Sequence, residues 1–193
     1  MRYVDIKLES AEFLLKSALG AISGPSEAMM DALDALPAAI YLTDIDGNVT
    51  HYNRACVPFA GRTPRPGRDR WCVTWKLFTA EGEALPHDRC PMAVAIKQGR
   101  EIRGVEAWAE RPDGSRVRFL PFPTLLFDDG GNVIGAVNLL IDVTDRRRAD
   151  DLRDQAARCR RLSSSVLDRR TLDALNDMAN EYEAEAERLA RLN

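Results

Sequence analysis

The chain has 193 residues, 45% of them hydrophobic and 30% charged, which suits one core of ordinary domain size beneath a hydrated surface. Its 27 Lys and Arg against 30 Asp and Glu leave a net charge of -3, which argues against a nucleic-acid-binding protein while leaving room for a local basic patch. No apolar run reaches membrane-spanning length, the opening MRYVDIKLESAEF lacks the apolar stretch of a secretion signal, and Cys56, Cys72, Cys90 and Cys159 lack paired spacing; a cytoplasmic protein with reduced thiols is expected.

Ile6, Phe13, Leu14 and Leu19 recur near helical spacing and predict a helix over residues 6–19, stopped at Gly20. After the break Ser23-Gly24-Pro25-Ser26, Ser26 suits the N-cap of a second short helix over residues 27–33. The apolar stripe of the first helix has no partner within its own segment, so it is expected to pack on a sheet or on a second subunit. From Leu36-Pro37 the pattern turns to strand: AAIYLTD, a turn at Asp46-Gly47, then NVTHYNRA. Asp44, Asp46 and Asn48 look briefly like a calcium loop, but the glycine stands at 47 rather than 49 and the closing glutamate is missing, so these acids, like Asp128 and Asp129, are read as turn residues.

Residues 54–60 predict a short helix and residues 61–69 a loop rich in Gly, Pro and Arg, followed by the most aromatic stretch, Trp71-Cys72-Val73-Thr74-Trp75-Lys76-Leu77-Phe78. A helix over residues 89–98 ends at Gly99. Residues 102–145 then read as three antiparallel strands, with turns at Pro112-Asp113-Gly114 and Asp128-Asp129-Gly130-Gly131-Asn132. The third strand, residues 133–143, is almost continuously apolar and so is expected to be covered on both faces. Pro121 and Pro123 remove two ladder donors from an interior strand; a bulge or irregular stretch is expected there, leaving backbone groups for a ligand, a water or a partner chain.

The last strand stops at Asp142-Val143-Thr144-Asp145, where Thr144 is the expected N-cap of a charged helix and Asp142 is placed to bond across the junction. Leu152, Ala156, Cys159, Leu162 and Val166, then Leu172, Leu175, Met178, Tyr182, Ala186 and Leu189, recur at three- and four-residue steps. They predict two amphipathic helices, the first rich in arginine and the second in acids, folded as an antiparallel hairpin whose charges are solvated faces. The hairpin looks like a small helical tail common in bacterial proteins.

Two strands, short helices, three antiparallel strands and an exit helix: this order resembles the PAS family. The resemblance rests on Leu36-Pro37-Ala38-Ala39-Ile40, Thr43-Asp44 through Asp46-Gly47, Asn53-Arg54-Ala55 followed by Gly61, Arg111-Pro112-Asp113-Gly114-Ser115, Gly130 through Gly135-Ala136-Val137, and the terminal Asp142-Val143-Thr144-Asp145-Arg146-Arg147. It implies an α+β fold, a five-stranded antiparallel sheet with helices on one face, used to sense ligands or bind proteins. The expected division is an N-terminal helical dimerisation segment (residues 1–29), the PAS domain (30–145) and the C-terminal hairpin (146–193).

The family's cofactors each need a signature. The flavin photosensors use an Asn-Cys-Arg helix motif, absent from GRTPRPGRDRWCVTW, so a flavin photocycle is not expected. Haem relatives use a histidine on the helix after His87; here that helix has none, and His87 reads as a loop histidine rather than an axial ligand. Cys72, His87 and Cys90 make three soft ligands where a closed zinc site wants four, so no metal is expected. A small organic ligand, its identity open, fits better: Trp71, Trp75, Leu77, Phe78, Met92 and Ile96 would wall a cavity opposite Ile40, Leu42, Trp108, Phe119, Pro121 and Leu139, although the same side chains would equally fill a core.

No Walker loop, dinucleotide glycine fingerprint or nucleophile elbow is present, and the tail has no phosphoacceptor histidine, so the chain is not expected to be an enzyme. The expectation is a homodimeric cytoplasmic sensor or adaptor. A ligand or redox change would pass from the pocket through Asp142, Thr144 and Asp145 to the exit helix and a partner signalling protein. The alternatives are a ligand-free interaction scaffold, a sensory fragment of a histidine-kinase or transcription-regulating pathway, and nucleic-acid contact through residues 146–170.

Overall fold

A computed structural model describes residues 33, 34, 36 and 38–191. The expected N-terminal helix over residues 6–19, and all of the next one except Leu33, lie outside the described residues. The chain divides between Ile141 and Asp142 into two compact units.

In the first unit, β1 (Ala39–Asp44) alternates strictly. Ala39 and Tyr41 point into one buried cluster, Ile40 and Leu42 into another, as a strand covered on both faces requires. The Asp44 carboxylate accepts the backbone and side-chain N–H of Asn48, at 2.8 and 2.9 Å, and closes the turn into β2 (Val49–Tyr52). A short helix, α1 (Cys56–Ala60), follows β2, and after a long loop come β3 (Lys76–Thr79) and β4 (Ala84–Leu85). A 3₁₀ turn at His87–Arg89 leads into α2 (Pro91–Gln98), whose proline sits in the first turn, where its missing N–H costs nothing. Three strands complete the unit: β5 (Ala107–Glu110), β6 (Arg116–Phe127) and β7 (Val133–Asp142).

The strands form one sheet in the order β2-β1-β7-β6-β5-β3-β4. The expected five strands are β2-β1-β7-β6-β5. The hairpin β3–β4 extends them on the β5 side, with Lys76 to Thr79 facing Glu110 to Ala107. Sequence reading misses this hairpin because its strands have only four and two residues, too few to display an alternation.

Helices α1 and α2 pack on one face: Cys56, Phe59, Met92 and Ile96 join Tyr41, Val49, Trp71, Leu77, Phe119 and Leu140 in one continuous cluster. Phe59 meets Phe119 edge to face, centroids 5.4 Å apart. The other face carries Leu33, Ile40, Leu42, Phe122, Val137 and Leu139.

The prolines correct the sequence expectation. β6 runs as a single strand of 12 residues through Pro121 and Pro123. Between two residues without N–H groups, the Phe122 N–H donates to the Asn138 side-chain oxygen (3.0 Å). The Pro123 carbonyl accepts the Arg103 guanidinium at 2.8 Å. These groups are therefore bonded within the chain rather than left for a ligand.

In the second unit, α3 (Thr144–Ser163) and α4 (Arg169–Arg191) form a hairpin. Its seam is made chiefly of small side chains, with Ala149 against Ala186 and Leu189, and Ala156 and Cys159 against Ala179. Arg160 pairs with Glu183 across it. Thr144 lies inside the first helical turn rather than at the N-cap, which is Val143; its N–H is accepted by the Asp142 carboxylate at 2.9 Å, so an acid two residues earlier satisfies this first-turn donor.

Candidate functional site

The loop between α1 and β3 is organised by one buried carboxylate. Asp69 accepts the Arg65 N–H at 2.8 Å, pairs with the Arg65 guanidinium at 3.2 Å and with Arg62 at 2.8 Å, while its own carbonyl accepts the Val49 N–H at 2.9 Å. Burial pushes the Asp69 carboxyl up, but the Arg65 N–H and the Arg62 guanidinium more than offset it, and the group titrates below its ordinary range. The loop is thus pinned to the edge of β2 and delivers Trp71 with φ +65, a left-handed backbone no other described non-glycine residue adopts. The Trp71 N–H donates to the Gly47 carbonyl at 2.6 Å, and its ring lies against Gly47 so closely that a Cβ there would come within 2.3 Å.

Behind Trp71 a buried polar thread crosses the sheet. Tyr41 on β1 donates its hydroxyl to the Trp71 carbonyl (2.9 Å) and accepts the Asn138 amide N–H from β7 (3.0 Å). Asn138 in turn holds the Phe122 N–H of β6. One loop and three strands are joined by three hydrogen bonds among groups that burial would otherwise penalise. Cys90 points its thiol at the same carbonyl, 3.7 Å away. Burial, reinforced by the neighbouring Cys72 and Cys90 thiols, pushes the Tyr41 phenol well above its ordinary value. Burial also pushes Cys56 and Cys90 up to about 12. Thiols held protonated in this way are poor nucleophiles and poor redox sensors.

The twelve pocket residues expected from the sequence do not surround one space. Trp71, Leu77, Met92, Ile96 and Phe119 meet in the helix-side cluster, and Pro121 is buried on β6. Ile40, Leu42 and Leu139 belong to the cluster on the opposite face. Trp108 is partly exposed, carries Arg118 over its ring at 5.3 Å and donates its indole N–H to the Ala80 carbonyl. Phe78 is partly exposed beneath Arg116, and Trp75 is 51% exposed. Strand alternation explains the separation: odd and even positions of β1 and β6 face opposite ways.

In front of Trp71 lies an open groove of about 480 Å³, bounded by the arginine loop, Trp71, Cys72, Thr74, Trp75, His87 and Asp88. The His87 ring nitrogen stands 3.4 Å from the Thr74 hydroxyl, which itself bonds the Cys72 sulfur. Burial and then the Arg62 charge hold His87 below its ordinary value, against the pull of Asp69 and Asp88. Among the described residues no three His, Cys, Asp or Glu side chains are placed to hold a metal ion. The sequence contained the groove's signal in the four arginines of residues 62–70, but a search directed at apolar walls passes over it.

A family described as PAS fold matches residues 33–148. No curated protein matches. Among solved structures, the chain is similar to an RNA-binding light-oxygen-voltage receptor at 19% identity and TM-score 0.49, over 64% of this chain and 37% of that one. The chain therefore spans little more than a third of that receptor's length. It is also similar to a light-oxygen-voltage protein of Rhodobacter sphaeroides (16% identity, TM-score 0.47, 86% of this chain and 97% of that one). A third likeness is to the light-oxygen-voltage domain of a blue-light activated histidine kinase from Erythrobacter litoralis (22%, TM-score 0.44, 56% and 98%).

Proposed function

The chain belongs to the PAS fold family, and from that premise we propose that it is a non-enzymatic signal sensor or adaptor that binds a small ligand and passes the bound state to a partner protein through its exit helix. It works as a cytoplasmic homodimer in this reading, with a signalling protein as the receiver. Four buried cysteines without disulfides fit a reducing compartment. Among the described residues no helix is long and apolar enough to cross a membrane.

The observation that carries the proposal is the thread Trp71–Tyr41–Asn138–Phe122. It ties a loop that borders a groove to β7, and β7 runs through Val143 directly into α3. A change in the Trp71 carbonyl position reaches Asn138 through two hydrogen bonds, and Asn138 lies on the strand that leads to the exit helix. The high thiol pKa values favour ligand binding over redox as the input.

Replacing Asn138 with Ala tests the relay: amide exchange over residues 146–166 is expected to speed up relative to the parent. Unchanged exchange there, in a variant that still folds, would remove the relay from the mechanism. The packed helix-side cluster favours a second reading, a scaffold that binds a partner without a ligand. Native mass spectrometry of protein purified without added cofactor separates the two, because a retained small molecule fits only the sensor.

A further inference from the structure

We propose that the arginine-lined groove in front of Trp71 binds a phosphate-bearing small molecule with a planar ring, of the mononucleotide class. The inference deepens the sensor reading by naming its ligand class, and as a signal input it rests on that reading.

Charge carries the first half of the argument. Four guanidiniums, those of Arg62, Arg65, Arg68 and Arg70, face two carboxylates, those of Asp69 and Asp88. Asp69 is already shared between Arg62 and Arg65. Arg70 donates to the Asp46 carbonyl at 2.6 Å, a neutral acceptor that leaves its charge uncompensated. Arg68 pairs with no carboxylate among the described residues. The Nε of Arg62 is buried on the groove wall without an acceptor. The groove is therefore locally positive on a chain whose net charge is -3, so the surplus is concentrated rather than a property of the whole surface. Guanidinium forks matched to several oxygens at once favour a phosphate over a single carboxylate.

Size and aromaticity carry the second half. A volume of about 480 Å³ falls within the range of small-molecule sites. Trp71 has both Arg70 and Lys97 near its ring, at 5.5 and 5.0 Å, whereas Trp75 presents half of its surface to solvent at the same groove. An open indole beside two arginines, Arg68 and Arg70, that pair with no carboxylate among the described residues suits a flat ring joined to a phosphate.

The test is titration of the full chain with inorganic phosphate, adenosine 5′-monophosphate and adenosine, by calorimetry and tryptophan fluorescence. The monophosphate is expected to bind saturably and to quench fluorescence, phosphate to bind more weakly without quenching, and adenosine not to bind over the same range. Arg68 and Arg70 are exposed, so the double variant R68A/R70A is expected to fold and to weaken monophosphate binding roughly tenfold to hundredfold. Trp75→Ala is expected to abolish the quench. Absence of saturable binding, equal affinity in R68A/R70A, or tighter binding of a single-stranded oligonucleotide than of the monophosphate would each overturn the assignment. Amide exchange over residues 146–166, measured with and without the monophosphate, keeps the two proposals apart. Binding without altered exchange leaves the groove assignment standing and counts against the sensor reading, whereas no binding overturns the groove and leaves the Asn138→Ala experiment to decide the sensor.

Discussion

Trp71 separates two regions built on opposite principles. Behind it, Tyr41, Met92 and Phe119 are enclosed and each polar group of the thread from Tyr41 to Phe122 has a partner. In front of it, cations outnumber acids and an indole is open to solvent. The closed side resists change because any alteration of volume or hydrogen bonding is felt there. The open side tolerates change at Arg68 and Arg70, which are exposed, whereas Asp69 with Arg62 and Arg65 anchors the loop. Core packing and the Asp69 anchor together hold Trp71 in a costly backbone conformation, and the cations with unused capacity lie on the groove side.

The comparison breaks most readily at its glycines. Gly47→Ala would put a methyl group 2.3 Å from the Trp71 ring at a residue whose φ is +83. The expected cost is about 3 kcal/mol, from overpacking added to backbone strain. Gly67 has a similar φ of +72 on the arginine loop, but a Cβ there meets nothing within 4 Å. Gly67→Ala should cost only the backbone term, about 1 kcal/mol. Urea unfolding of both variants checks the pair, and equal losses would show that the two sides do not differ as argued.

Tyr41→Phe comes next. It removes the donor to the Trp71 carbonyl and the acceptor of the Asn138 amide while keeping the ring volume. The loss of stability should be about 1–3 kcal/mol, since two buried groups lose a partner and only the weak Cys90 contact remains at the carbonyl. A loss near zero would mean that the thread is incidental to packing.

The fold was legible in the sequence because its strands alternate and its turns carry Asp-Gly and Asn signals, as at Asp46-Gly47 and Asp128. The thread was not legible. Asn138 sits in an otherwise apolar strand, and nothing in the sequence states that its oxygen replaces a ladder acceptor for Phe122. The two prolines did mark the place, but as a defect rather than as the cause of that substitution. The hairpin seam was legible in type and misread in detail. Of the residues picked by spacing, Ala156, Cys159, Ala186 and Leu189 are buried, but Leu162 and Met178 are 56% and 42% exposed, and Ala179, outside that set, is buried. Small residues let two helices approach closely, so the buried stripe need not follow the largest side chains. The expected pocket residues are divided between the two faces for a geometric reason: successive residues of a strand point opposite ways, so Ile40 and Leu42 lie across the sheet from Met92 and Phe119.

Asp142→Ala sharpens the contrast at the exit helix. It removes the acceptor of the Thr144 N–H, at an expected cost of about 1 kcal/mol to the helix start. Exchange of the first-turn amides of α3 should rise, whereas Thr144→Ala, which leaves that acceptor in place, should change the same amides less. The reverse order would return the capping role to the threonine.

The smallest expected effect concerns pH and tests the groove wall. Burial and then the Arg62 charge hold the folded pKa of His87 below the ordinary 6.5, against the opposing pull of Asp69 and Asp88. The unfolded chain then takes up the proton first, and stability should fall as pH drops below about 6.5, levelling off once the folded group also protonates. Asp69 acts in a separate window. Its folded pKa lies below 3.8, so its contribution is intact above that value and is lost only as pH falls through the lower folded one. Urea midpoints measured from pH 8 to pH 5 should therefore decline in the parent and flatten in His87→Gln, with Asp69 contributing nothing to the difference. An equal slope in both would mean that the imidazole is solvated, and that the Arg62 side of the groove is more open than its burial implies.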